Sequence, residues 1–154
     1  MRVVIQRVKK AKVEIVESTL PDEKYNTKEI SQGLVILVGI THTDTVEDAK
    51  YLAQKILNLR IFSDEKDRFD KSILDIAGEI LVVSQFTLYG DCTKGRRPDF
   101  TYAAKADYAE TIYENFISEL KKSNLKIETG KFQAKMLVEI HNDGPVTIIL
   151  DTKK

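Results

Sequence analysis

The order of elements along the chain predicts an α+β fold: strands, a helix, a strand, a second helix, then strands again. Short runs rich in Val and Ile recur between turn residues, which is the mark of strands. Only two stretches carry apolar residues at three- and four-residue spacing, which is the mark of amphipathic helices. Two helices cannot cover both faces of about seven strands unless the sheet curves on itself. The expected architecture is therefore a curved, mostly antiparallel sheet or barrel with the two main helices outside, in a single domain spanning residues 1–154.

Residues 2–8 read as a first strand, and residues 11–17 as a second, in which Val13 and Ile15 alternate with Lys12 and Glu14. Residues 18–28 are polar, include Pro21 and read as a loop or hairpin tip. The run Gly33-Leu34-Val35-Ile36-Leu37-Val38-Gly39-Ile40 is nearly all apolar and reads as a strand buried on both faces. Asp44-Thr45-Val46-Glu47 fits a capping box with Asp44 as N-cap. The helix after it aligns Val46, Ala49, Leu52, Ala53, Ile56 and Leu59 in one stripe. Residues 63–71 are charged and read as a loop with Phe69 tucked inward. A buried strand begins at Glu79 and is expected to run on through Leu88, followed by a polar loop over residues 91–98. The second helix, residues 104–122, places Ala109, Ile112, Tyr113, Phe116, Ile117 and Leu120 on one face. Strands over 125–128, 135–140 and 146–150 close the chain, the last two separated by a turn at Asn142-Asp143-Gly144-Pro145.

Composition narrows the function. No apolar run approaches the roughly 20 residues needed to span a bilayer, and the N-terminus lacks the apolar core of a secretory signal. A lone cysteine, Cys92, forms no internal disulfide, so a reducing, cytoplasmic setting is the default. The 24 basic residues are balanced by 24 acidic ones, which argues against a protein that coats nucleic acid regardless of sequence. His42, His141 and Cys92 lie far apart in sequence, so no metal site is expected. Neither a Gly-x-Ser-x-Gly elbow nor a nucleotide fingerprint occurs, and no cofactor is expected.

Three segments stand out. Ser84-Gln85-Phe86-Thr87 interrupts the most apolar strand with hydrogen-bonding side chains, which must be satisfied or open into a cleft. Strand alternation would put Gln85 and Thr87 on one face and Ser84, Phe86 and Leu88 on the other. Its plainer reading is a strand end emerging into solvent. Asn142-Asp143-Gly144-Pro145-Val146-Thr147 reads as a hairpin turn, or as a rigid tip if the Gly144-Pro145 bond is cis. Lys94-Gly95-Arg96-Arg97-Pro98 reads as a phosphate-binding loop or as a solvated charge run.

Taken together with Met1-Arg2-Val3-Val4-Ile5-Gln6-Arg7-Val8 and Asn58-Leu59-Arg60-Ile61-Phe62, these segments resemble the D-aminoacyl-tRNA deacylase family, in the family's order and over nearly the whole chain. The resemblance implies a cytoplasmic homodimer of curved-sheet protomers that hydrolyses the ester of D-aminoacyl-tRNA. It implies that Ser84, Gln85, Phe86 and Thr87 line the pocket for the aminoacyl-adenosine end of the tRNA, with Gln85 and Thr87 nearest the chemistry. Gly144 and Pro145, joined by a cis bond, would enter the pocket of the other protomer, and Arg7 resembles the arginine that steadies that tip. Lys94, Arg96 and Arg97 would touch tRNA phosphates. Residues 18–28 are longer than in the short bacterial members.

D- and L-aminoacyl groups contain the same bonds, so selection must be steric around Cα. A rigid cage of main-chain carbonyls has no room where an L side chain would point. Glycine has no side chain to collide, so glycine mischarged on the alanine tRNA is an expected second substrate. Thr87 as a nucleophile would need an activating base, and the sequence shows none. The favoured mechanism instead has the RNA's own 2′-hydroxyl help while the protein positions the ester. Two other readings stand beside this one. A sister deacylase with a trans Gly-Pro acts on L-alanyl-tRNA, but it carries proline where Ser84 stands. A nucleic-acid-binding accessory protein is the other, against which the neutral charge weighs.

Overall fold

The structure, a computed structural model, describes residues 1–17 and 27–153. The expected loop over 18–28 lies outside the described residues except for Thr27 and Lys28, which belong to a strand.

In place of the two expected opening strands there is one, β1 (Arg2–Glu17). Along one edge it pairs antiparallel with β8 (Lys135–Asp151). Its other edge is shared between β3 (Gly33–Gly39), opposite residues 2–8, and β2 (Thr27–Ile30), opposite residues 11–14. Two register shifts against β8, between Gln6 and Val8 and between Val8 and Lys10, explain why the sequence reads as two strands. Bulges of this kind bend a strand and swap its faces. Before them Val3 and Ile5 point into one core; from Val8, between the two shifts, through Ala11 and Val13 the strand faces another.

From β3 the sheet continues in parallel through β6 (Glu79–Ser84) to β7 (Ile127–Thr129). Most of the pairing is antiparallel, as expected, and all of it lies about β1; the run from β3 onward is parallel, so the sheet is mixed. The cause is connectivity. Helix α1 (Val46–Leu57) lies between β3 and β6, and α2 (Ala106–Lys121) between β6 and β7; a crossover helix returns the chain to the same end of the sheet. Contacts of Lys28 with Glu128 and of Lys126 with Glu29 and Glu79 bring β2 toward β7, so the sheet is nearly closed. Two small strands, β4 (Phe62–Ser63) and β5 (Phe69–Lys71), form a separate ribbon.

Both faces of β3 and β6 are buried, as the apolar run predicts. Leu34, Ile36, Ile80 and Val82 pack under the helices with Leu52, Ile56, Phe116 and Leu120. Val35, Leu81 and Val83 face the interior formed where the second half of β1 and the first half of β8 fold over. The helical stripes agree with the sequence periodicity except at Val46, which lies exposed at the start of α1; Ala109 and Leu59 at the margins are only half-buried.

Four local expectations are corrected. The N-cap of α1 is Thr45, in a capping box with Asp48, not Asp44 with Glu47. Asp44 is fully buried and its carboxylate is engaged with the Met1 amino group and the Thr41 amide instead of the first turn of α1. Helix α1 ends at Leu57, short of Leu59. Phe69 is 54% exposed rather than tucked inward. Asp64 accepts from the amides of Lys66 and Arg68 and sets a tight turn, which leaves Phe69 on the outside beneath the Arg7 guanidinium. Finally, residues 142–145 do not reverse the chain: β8 runs on against β1 on both sides of them.

Candidate active site

Strand β6 does not reach Leu88. It ends at Ser84, the Gln85 amide donates to the Val38 carbonyl at 2.7 Å, and the chain tightens into a 3₁₀ turn over Phe86–Tyr89. The expected alternation of faces is therefore lost after Ser84. Gln85 and Thr87 nonetheless come together, because the Gln85 carboxamide Nε2 donates to the Thr87 hydroxyl. Arg2 fastens the far end of the turn by donating to the Leu88 carbonyl at 2.8 Å while lying over the Tyr89 ring. The first amides of a helix have no acceptor within it. Those of Phe86 and Thr87 donate to no other backbone carbonyl among the described residues.

This turn forms one wall of a cavity of about 510 Å³. Ser84, Gln85 and Phe86 line it; Thr87 does not, and reaches it only through Gln85. The remaining walls are mostly apolar. Ala104 comes from the segment just before α2 and Ala109 from its first turn, and Phe132, Gln133, Met136 and Val138 come from the entry to β8. Phe86 is 58% exposed and meets Phe100 edge to face at 5.1 Å at the rim. An apolar cavity with a few convergent polar groups is the ordinary form of a small-ligand site.

The second motif sits elsewhere. Between Gln6 paired with Thr147 and Val8 paired with Asn142, β8 carries three residues more than β1, so residues 143–146 stand out as a bulge. Gly144–Pro145 is cis, and both residues are exposed. Gly144 has φ +125°, and a Cβ there would lie 2.9 Å from the Arg7 Nη2 and from Val146, so only glycine fits. Arg7 braces the bulge: its Nε donates to the Asp143 carbonyl at 3.1 Å and its Nη1 to the Ile61 carbonyl at 2.8 Å. From the other side the Asn142 carboxamide accepts from the Val146 amide at 3.0 Å and donates to the Thr147 hydroxyl. Neither Gly144, Pro145 nor Arg7 lines the cavity. A single chain thus keeps the two motifs apart.

Lys94, Arg96 and Arg97 occupy an exposed loop closed by a backbone bridge between Asp91 and Asp99, and none of them lines the cavity. Asp91 and Asp99 hold the loop ends by accepting from Thr93 and Thr101; those hydrogen bonds keep both carboxyls below the usual range. Cys92 in this loop is exposed. The His42 ring bonds the Thr101 carbonyl, and His141 is exposed on β8. Among the described residues no group of three His, Cys, Asp or Glu could hold a metal, and no helix is long and apolar enough to cross a membrane.

Reading the sequence alone missed the wall supplied by Phe132, Gln133 and Met136. The available signal was Phe132, an aromatic in an otherwise polar link between two strands.

The architecture has close counterparts among solved structures. One described as c-Myc DNA Unwinding Element Binding Protein matches with a TM-score of 0.87 at 40% identity, covering the whole of both chains. Another, described as a probable eukaryotic D-amino acid tRNA deacylase, shares the fold with a TM-score of 0.82 at 15% identity over 97% of each chain. Together they define the class: a nearly closed mixed sheet carrying two helices. The family model described as D-Tyr-tRNA(Tyr) deacylase matches residues 4–151, and the chain belongs to that family, a family of hydrolases. A D-aminoacyl-tRNA deacylase of Clostridium botulinum (strain Alaska E43 / Type E3) is 54% identical over 154 residues, covering all of this chain and 99% of the relative.

Proposed function

We propose that the protein hydrolyses the ester bond of D-aminoacyl-tRNA, releasing the free D-amino acid and tRNA, and that it does so as a homodimer in the cytoplasm. The observation that carries the reading is the separation of two built motifs. An apolar cavity ends in a polar turn with unused amides, while a braced main-chain tip projects from the same chain outside that cavity. A second copy supplies the tip to the cavity and completes the site. Strand β8 offers the surface for it: it pairs only with β1 among the described residues, and exposes Leu137 and Ile149.

In the completed site the terminal adenosine enters the cavity and the ester lies against the 3₁₀ turn. Backbone amides near Phe86 stabilise the oxyanion, a preorganised device that acts where charge develops. Gln85 and Thr87, bonded to each other, position the ester or a water, and the neighbouring 2′-hydroxyl of the RNA assists. The partner's Gly-Pro carbonyls hold the amino group and leave no space for an L side chain. Glycine passes the same filter, so glycyl-tRNA mischarged on the alanine tRNA is a second substrate. Lys94, Arg96 and Arg97 lie on a loop suited to tRNA phosphates.

The test is a pair of substrates, D-tyrosyl-tRNA and L-tyrosyl-tRNA, with the purified protein. Release from the D form alone is expected. Equal release from both, or none, removes the reading. L-alanyl-tRNA on a noncognate tRNA separates the sister activity. A steep salt dependence of duplex DNA binding would instead indicate many phosphate contacts and a DNA-directed role.

A further inference from the structure

Among the described residues, four other than glycine hold a positive φ: Asp67, Ala77, Asn124 and Gln133. Only Gln133 lines the cavity. It is the third residue of a four-residue turn closed by the Ala134 amide donating to the Lys131 carbonyl at 3.3 Å, and its φ is +61°. Glycine or asparagine ordinarily fills that position, since a Cβ there is disfavoured. Local strain of this kind points to a role for the side chain that suffers it. Gln133 is exposed at the cavity wall, and its carboxamide makes no hydrogen bond to another described residue, so it is open to a ligand there. Its neighbours in the cavity wall, Phe132, Ala104 and Ala109, present flat or small apolar surface suited to the face of a base.

We propose that Gln133 is a specificity residue for the base at the tRNA terminus: its Oε1 accepts from the adenine N6 amine and its Nε2 donates to N7. A primary carboxamide is the side chain that matches this donor–acceptor pair. The proposal rests on the deacylase reading above and deepens it. Gly at this position would relieve the backbone but leave the base unread.

The experiment compares D-tyrosyl-tRNA ending in adenosine with two analogues, one ending in 7-deazaadenosine, which lacks the N7 acceptor, and one ending in purine riboside, which lacks the N6 amine. The unmodified protein should lose about tenfold in kcat/KM on each analogue, mainly through KM, the scale set by one bidentate pair. Gln133→Gly should treat all three substrates alike and melt at the same or a higher temperature. Gln133→Glu still accepts from N6 but cannot donate to N7, so it should be indifferent to 7-deazaadenosine while still penalising purine riboside. The role of Gln133 is overturned if Gln133→Gly keeps the same analogue penalties, or if the unmodified protein shows none while hydrolysing all three. Failure to release D-tyrosine even from the adenosine-ended substrate overturns the deacylase reading itself, and this proposal with it.

Discussion

Replacing Arg7 with Met tests whether the Gly144–Pro145 tip must be stiff. The Arg7 side chain is only 11% exposed and gives two charged hydrogen bonds to carbonyls remote from each other in sequence, Asp143 at 3.1 Å and Ile61 at 2.8 Å. Its carboxylate contact with Asp143, at 3.7 Å, is looser and adds less. Methionine keeps much of the aliphatic volume but leaves both carbonyls without this donor. Each charged hydrogen bond contributes about 1.5–3 kcal/mol, so a loss of about 3 kcal/mol is expected, measured by denaturant unfolding at constant m. Lysine, with one compact head, reaches one carbonyl at a time and should lose about half of that. Activity should fall further than stability. Displacing a positioning group by about 1 Å costs on the order of 10²-fold in rate, so Arg7→Met assayed well below its unfolding midpoint should lose about that factor on D-tyrosyl-tRNA. Its discrimination against L-tyrosyl-tRNA should narrow as well. A variant that loses stability but keeps rate and selectivity would refute the reasoning, because the brace would then serve the fold alone.

Three further outcomes follow from the same geometry. Gly33→Ala should prevent stable folding or cost several kcal/mol on thermal melting, since a Cβ would sit 1.7 Å from the Glu79 carbonyl where β3 meets β6. Glu79 accepts from the Ser31 amide and from Lys126, and these bonds outweigh burial to hold its carboxyl below the ordinary 4.5. Its contribution is therefore complete above pH 4.5 and is lost as pH falls through the lower folded value, so Glu79→Gln should flatten the acid limb of stability against pH. Thr87→Ala should slow D-tyrosyl-tRNA hydrolysis only partly, about 10²-fold or less by single-turnover assay, if the hydroxyl positions Gln85. Complete loss with binding intact would make Thr87 the nucleophile.

The layers of this fold were legible because burial writes a periodic signature. The unbroken apolar runs of β3 and β6 gave their two-sided burial, and the stripes on α1 and α2 gave the faces they cover. The antiparallel pairing about β1 was foreseen; the parallel run from β3 to β7 was not, because the helix crossovers that impose it also fix the strand order. Caps failed for a related reason: Asp44 and Thr45 are both good N-caps by type, and what disqualifies Asp44 is its engagement with Met1 and Thr41, which sequence distance hides.

The candidate site divides along the same line. Ser84, Gln85 and Thr87 stood out as polar residues after a buried strand, yet strand alternation does not hold beyond Ser84 because the chain tightens into the 3₁₀ turn. The tip was visible as a turn signal but not as a bulge, since a bulge is defined by its partner strand, and Gln6 and Val8 lie more than 130 residues away in sequence. Gln133 carried no sequence signal of its own. Its backbone angle and its place in the cavity wall single it out, and neither is a property of residue type. The turn after Ser84 and the Gly144 tip share one feature: each is held by contacts from distant segments. Arg7 ties β1, the chain after α1 and β8 into one block behind Gly144, and the Val38 carbonyl anchors the turn that holds Phe86. On the proposed reading the tip is a filter for handedness that must not yield when the wrong isomer presses on it, and the Arg7 brace would provide that resistance.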